Sequence, residues 1–76
     1  MNKASSPAVG DTVRFNRAFR DTFDDPADRA RLRRQRFVLD AVGHASDGTE
    51  FVRMHDGRGR SHETTIGWVE TVAANA

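Results

Sequence analysis

Three histidines, His44, His55 and His62, are the residues of this chain best suited to acid–base or metal chemistry, because imidazole titrates near neutrality and ligates metals through either ring nitrogen. His55 and His62 flank Asp56-Gly57-Arg58-Gly59-Arg60, whose glycines favour a tight reversal between two strands. A turn centred on Arg58-Gly59 sets His55 opposite His62 and Phe51 opposite Ile66, close enough for two imidazoles to chelate with Asp56 or Glu63 nearby. A turn centred on Gly57-Arg58 instead sets His55 opposite Arg60 and Arg53 opposite His62. The second arrangement is preferred, since glycine leads a type II′ turn. In either case Glu63 points away from the face that carries His62. Scattered histidines in a polar chain are usually solvated, so the expectation is no metal and no cofactor. No Ser-His-Asp set or glycosidase-like carboxylate pair has a supporting motif, and no catalytic residue is expected. Gly57-Arg58-Gly59-Arg60 has the glycines and cations to hold a phosphate, but no helix follows to complete a phosphate loop. It reads as a hairpin turn.

Binding is the remaining class of chemistry, and arginine dominates it. Eleven of the twelve basic residues are arginine, and Arg29, Arg31, Arg33, Arg34 and Arg36 crowd one segment behind Asp21, Asp24, Asp25 and Asp28. A coding bias toward arginine accounts for this, as does a surface that selects forked guanidinium donors. On the hairpin, Arg53, Arg58 and Arg60, joined by Arg14 or Arg17, are placed to contact phosphates, with Trp68 or Phe51 to stack on bases. Val52, Met54 and Trp68 make a second candidate surface, an apolar centre with a charged rim that suits a protein partner or another copy of the chain. The formal net charge of +1 excludes a strongly cationic nucleic-acid binder as well as an acidic DNA mimic.

The elements that must position these groups are short. Thr12-Val13-Arg14-Phe15-Asn16 alternates apolar and polar and opens a strand with Val13 and Phe15 inward; continued alternation would carry Phe19 inward too. Asp25-Pro26, with Asp28 behind, resembles an N-cap, a first-turn proline and a first-turn acid, which predicts a helix from Pro26 to about Arg34. Its Ala27, Ala30 and Leu32 offer little apolar area, so it should lie on the surface. Arg36 to Val42 forms the next strand, with either Phe37, Leu39 and Ala41 or Val38 and Val42 facing inward. Asp47-Gly48 is a turn pair. In the hairpin that follows, both registers put Phe51 and Ile66 on one face, to share an interior with Phe15 and Leu39. Val52 and Met54 are then left on the other face, unless a bulge shifts the parity. Trp68-Val69 should be a short helical turn and Thr71-Val72 a brief last strand.

At 76 residues the chain is one domain near the lower size limit for a core without staples. The absence of cysteine removes disulfides and fits a reducing compartment. No signal-like or bilayer-length apolar run occurs, so a cytoplasmic location is expected. Residues 1–8 and 73–76 read as flexible tails around a folded unit of 9–72.

Five short strands, a long first loop, a helical twist before the last strand and the opening Val9-Gly10-Asp11-Thr12-Val13-Arg14-Phe15 resemble the Src-homology-3 (SH3)-like small β-barrel superfold. The resemblance implies an all-β, five-stranded barrel with a short helical insertion between strands 1 and 2, and an opening strand paired with the closing Val69-Glu70-Thr71-Val72. Val13 to Phe19 is also similar to the openings of uncharacterised proteins carried on phages, plasmids and mobile gene cassettes. The plasmid-borne type II dihydrofolate reductase, a tetramer of such barrels, is similar in size. Its Val-Gln-Ile-Tyr active stretch falls on Thr64-Thr65-Ile66-Gly67, where only Ile66 matches. That resemblance implies architecture rather than activity. The overall expectation is a non-enzymatic interaction module that binds a protein, itself included, through Val52, Met54 and Trp68. The alternative is a nucleic-acid-binding accessory protein that uses Arg53, Arg58 and Arg60.

Overall fold

The computed structural model describes residues 7–72; apart from Pro7 and Ala8, the expected tails lie outside that range. The chain is mainly β, with five antiparallel strands in one sheet and short helices between them. Strands β1 (Thr12–Phe15), β2 (Phe37–His44), β3 (Glu50–His55), β4 (Ser61–Thr65) and β5 (Val69–Thr71) lie in the order β4-β3-β2-β1-β5. Helices α1 (Arg17–Arg20) and α2 (Pro26–Arg34) join β1 to β2, and a single 3-10 turn, Ile66–Trp68, joins β4 to β5. Among the described residues no helix is long and apolar enough to cross a membrane.

The opening strand ends sooner than its alternation implies. Asn16 turns the chain into α1: its Oδ1 accepts the Phe19 amide at 3.0 Å, satisfying a helix N-terminal donor that would otherwise have no partner. The same side chain donates to the Gly67 carbonyl at 2.7 Å, which ties the helix entrance to the 3-10 turn. Phe19 therefore does not continue the strand. Its ring stacks on Phe15 with centroids 4.2 Å apart and meets Trp68 and Phe23 edge-on. Helix α2 spans the expected residues, with the Asp25 carboxylate accepting the Ala27 amide at 2.9 Å and Pro26 in the first turn. The helix lies on the surface, as expected, with six of its nine residues exposed, and is anchored there through one buried apolar side chain, Leu32.

The hairpin adopts neither expected register. His55 pairs with Ser61, Met54 with His62 and Arg53 with Glu63, midway between the two alternatives. The cause is a three-residue loop. The Asp56 amide bonds to the Arg60 carbonyl and the Gly59 amide to the Asp56 carbonyl, while Gly59, not Gly57, takes the positive φ of 82°. This is a turn closed by a glycine bulge, and it changes side-chain parity relative to a two-residue loop. Residues 45–49 repeat the pattern between β2 and β3, with Gly48 at φ 90°.

The parity change corrects the expected apolar patch. Val52 and Met54 are 0% exposed and form the core with Val13, Phe37, Leu39 and Val69, with Phe15 and Ile66 packed against it. A bulge at Asp40 resolves the two-face ambiguity of β2. Leu39 pairs with Met54 before the bulge and Val42 with Val52 after it, so Phe37, Leu39 and Val42 share a face. Phe51 lies on the outer face, half-buried, and pairs with Gly43. Its ring covers that glycine so closely that a Cβ there would sit 2.6 Å from Phe51 Cζ. Gly43→Val is expected to displace the ring and lower stability by about 1–3 kcal/mol, the usual cost of overpacking. A urea melt that matches the parent would show that the ring swings aside freely.

Candidate nucleic-acid interface

One dense group of potential ligand donors lies where the end of α2 meets the β3–β4 loop. Arg34, Arg36, Arg58 and Arg60 line one groove together with Gln35, Asp56, Gly57 and His62. Two strokes of local structure put them there. The C-cap of α2 at Gln35 turns the chain straight into β2, which leaves Arg34 and Arg36 on either side of the cap. The three-residue loop then projects Arg58 and Arg60 beyond the sheet, where both are exposed.

Asp56 organises the loop. Its Oδ1 accepts the Arg58 amide at 2.9 Å and the Arg60 amide at 3.0 Å, and its Oδ2 accepts from His62 Nε2 at 3.1 Å. These donors, the His62 imidazole first and the Arg60 amide next, hold the carboxyl down at about 2, below the usual carboxylate range. The His62 ring packs edge-on against Phe37 with centroids 5.1 Å apart, so the loop is tied to the core through one histidine. Asp56 is the acid of the groove, and both of its oxygens already accept hydrogen bonds, from its own loop and from His62.

The four arginines are less committed. Among the described residues, the guanidinium groups of Arg34, Arg58 and Arg60 have no hydrogen-bonded acceptor or salt-bridge partner, and Arg36 donates only to the Arg33 and Gln35 carbonyls at 2.9 and 3.2 Å. A carbonyl fixes the side chain without neutralising it. The groove is thus cationic and has donors to spare.

The other residues singled out by the sequence lie elsewhere. Arg53 is on the outer face of the sheet, 3.3 Å from Glu63, and does not line the groove. Trp68 is half-buried against Phe19, away from Val52 and Met54, which lie in the core. Arg14 is paired with Glu70 at 2.6 Å across β1 and β5, and Arg17 lies 3.6 Å from Asp21. The two-histidine chelate does not form, because His55 and His62 face opposite sides of the sheet. Each has its own carboxylate instead: His55 bonds Asp40 at 2.8 Å and His62 bonds Asp56, while His44 bonds Glu50 at 3.0 Å. Among the described residues no group of three His, Cys, Asp or Glu side chains is placed to hold a metal ion.

No family model, curated protein or solved structure matches this chain. Its own geometry therefore carries the functional reading. Arg34 and Arg36 are the groove residues that sequence reasoning did not assign to a site. The dense arginine run around them was visible, but its approach to the hairpin loop depends on tertiary structure.

Proposed function

We propose that the chain is an SH3-like small-barrel module that grips the phosphate backbone of a nucleic acid without performing chemistry on it. The observation that carries this is the convergence of Arg34, Arg36, Arg58 and Arg60 on one groove, with no carboxylate partner among the described residues except an Asp56 already occupied by its own loop. Guanidinium groups left unneutralised in this way suit phosphate oxygens.

The barrel reading rests on strand order. Strands β4 and β5 are the two edges, yet only Ile66–Trp68 separates them. In a flat five-stranded sheet the edges would stand about 19 Å apart, whereas four residue steps reach no more than ~14 Å even when extended. A sheet that curls back on itself accommodates the short link. The pairing of β1 with β5 supports the same reading.

Protein binding through Val52 and Met54 loses its basis, since both are buried within a single copy. The large hydrophobic residues exposed among those described are Val9 and Val42, too few for an apolar docking centre. Base stacking also lacks a platform, because Trp68 and Phe51 do not line the groove. Recognition is therefore of the backbone and insensitive to sequence.

Titration with a short DNA or RNA duplex at increasing salt tests this. Four phosphate contacts set an upper slope of about −3.6 in log K against log salt, on the order of a hundredfold between 50 and 200 mM. Arg58→Ala with Arg60→Ala should reduce the slope by ~1.8, whereas Arg53→Ala should leave it unchanged. Absence of binding to either duplex at low salt would end the proposal.

A further inference from the structure

A second arginine cluster, on the other side of α2, points to a different ligand. Arg14, Arg17, Arg20, Arg29 and Arg33 surround a recess of about 510 Å³ formed by β1, α1 and α2, with Asp21 at its margin. Neighbouring residues of α2 thus serve separate sites, Arg33 here and Arg34 in the hairpin groove. We infer that this recess binds a diphosphate group, either as free pyrophosphate or as part of a nucleoside diphosphate.

Charge and preorganisation support the assignment. Arg20 Nη1 donates to the Phe15 carbonyl at 2.7 Å, and Arg29 Nη1 donates to the carbonyls of Phe23 and Asp24. These bonds hold both guanidinium groups in place but leave their charge uncompensated, and each retains further N–H donors on Nε and Nη2. Fixing them beforehand reduces the entropy lost when an anion binds. Arg14 is neutralised by Glu70 and Arg17 loosely by Asp21. Arg33 has no acceptor or salt-bridge partner among the described residues.

Five arginines against those two acids leave an excess of three positive charges around a single recess. A nucleic-acid backbone spreads its charge along a track, one negative charge per phosphodiester, and brings one such charge at a time to a compact recess. A diphosphate concentrates two to three negative charges in a volume that the recess accommodates, and its paired phosphoryl oxygens suit several forked donors at once.

Calorimetric titration of the full chain at fixed ionic strength provides the test. The probes are inorganic pyrophosphate, inorganic phosphate, ADP and adenosine, with amide chemical shifts read in parallel. The variants are Arg17→Ala with Arg33→Ala, which leaves both carbonyl-anchored arginines intact, and Arg58→Ala with Arg60→Ala. Thermal melts confirm that each remains folded. Pyrophosphate is expected to bind at least tenfold more tightly than phosphate and to shift amides in residues 17–21 and 29–33. The first variant should weaken it at least tenfold, and the second should change it less than twofold. ADP that binds as tightly as pyrophosphate or better, with adenosine inert, would identify a nucleotide as the source; weaker ADP binding would identify the free anion.

The inference is overturned if pyrophosphate shows no saturable binding at millimolar concentration, or if the hairpin variant loses it equally. It is likewise overturned if the recess variant lowers only duplex affinity and its salt slope, since the cluster would then belong to a nucleic-acid track. Duplex binding by the hairpin groove survives or fails independently of these outcomes.

Discussion

Phe37→Ala is expected to lower the free energy of unfolding by ~3–5 kcal/mol, the usual cost of truncating a buried phenylalanine. A domain of this length has about 4–11 kcal/mol in all, so the loss removes a large fraction of its stability and moves the urea midpoint far below that of the parent. Phe37 is 2% exposed and touches both halves of the structure. Its ring meets Phe15 of β1 edge-on with centroids 5.4 Å apart and the His62 ring of β4 at 5.1 Å. Truncation would open a cavity between strands at opposite ends of the chain and remove the surface on which His62 rests. Phe37→Leu keeps most of the volume and should remain folded. Phe51→Ala supplies the contrast, because that ring lies half-buried on the outer face above Gly43 and should cost less than Phe37→Ala. Urea melts of the three variants decide the matter. Equal losses at positions 37 and 51 would mean that both rings share the interior, which this register forbids.

That contrast also shows where sequence reasoning succeeds and where it stops. Helix α2 was legible because Asp25, Pro26 and Asp28 act on neighbouring amides, and local hydrogen bonding is written in local sequence. The β segments were legible from alternation, as in Thr12–Phe15. Which face each strand presents was not, because parity depends on the number of residues in a loop or bulge. One additional loop residue at 57–59 turned Val52 and Met54 inward and Phe51 outward. One additional residue at Asp40 let Leu39 and Val42 share a face despite their odd spacing. Asn16 was hidden for a different reason. Arg17-Ala18-Phe19 continues the alternation, and only the cap hydrogen bond shows that a helix wins there. The candidate groove divides in the same way. Arg58 and Arg60 stand out as cations on a glycine turn, whereas Arg34 and Arg36 reach the same groove only because β2 leads the chain from α2 into the sheet. Arg53 read as a partner of Arg58 and Arg60, but alternation alone could not reveal that Glu63 stands opposite it.

Asp56→Asn is expected to destabilise the protein at neutral pH and to flatten its response to acid. In the folded chain the Asp56 carboxyl is held at about 2, chiefly by the His62 hydrogen bond and then by the Arg60 amide, against about 3.9 for an unperturbed aspartate. A group whose folded value is depressed contributes stability that is fully present above its unfolded value and disappears as pH falls through its folded value. The window therefore runs from about pH 4 down to about pH 2. Asparagine keeps one acceptor for the Arg58 and Arg60 amides, but its Nδ2 cannot accept the His62 N–H. The parent should thus be more stable than Asp56→Asn at pH 7, and the two should converge on approaching pH 2. Asp47, lowered in the same direction first by the Thr49 amide, remains in both proteins, so the variant keeps some acid sensitivity. Thermal melts between pH 7 and pH 2 measure the difference. Parallel curves across that range would mean that the Asp56 charge does not hold the loop, and the placement of Arg58 and Arg60 would then need another cause.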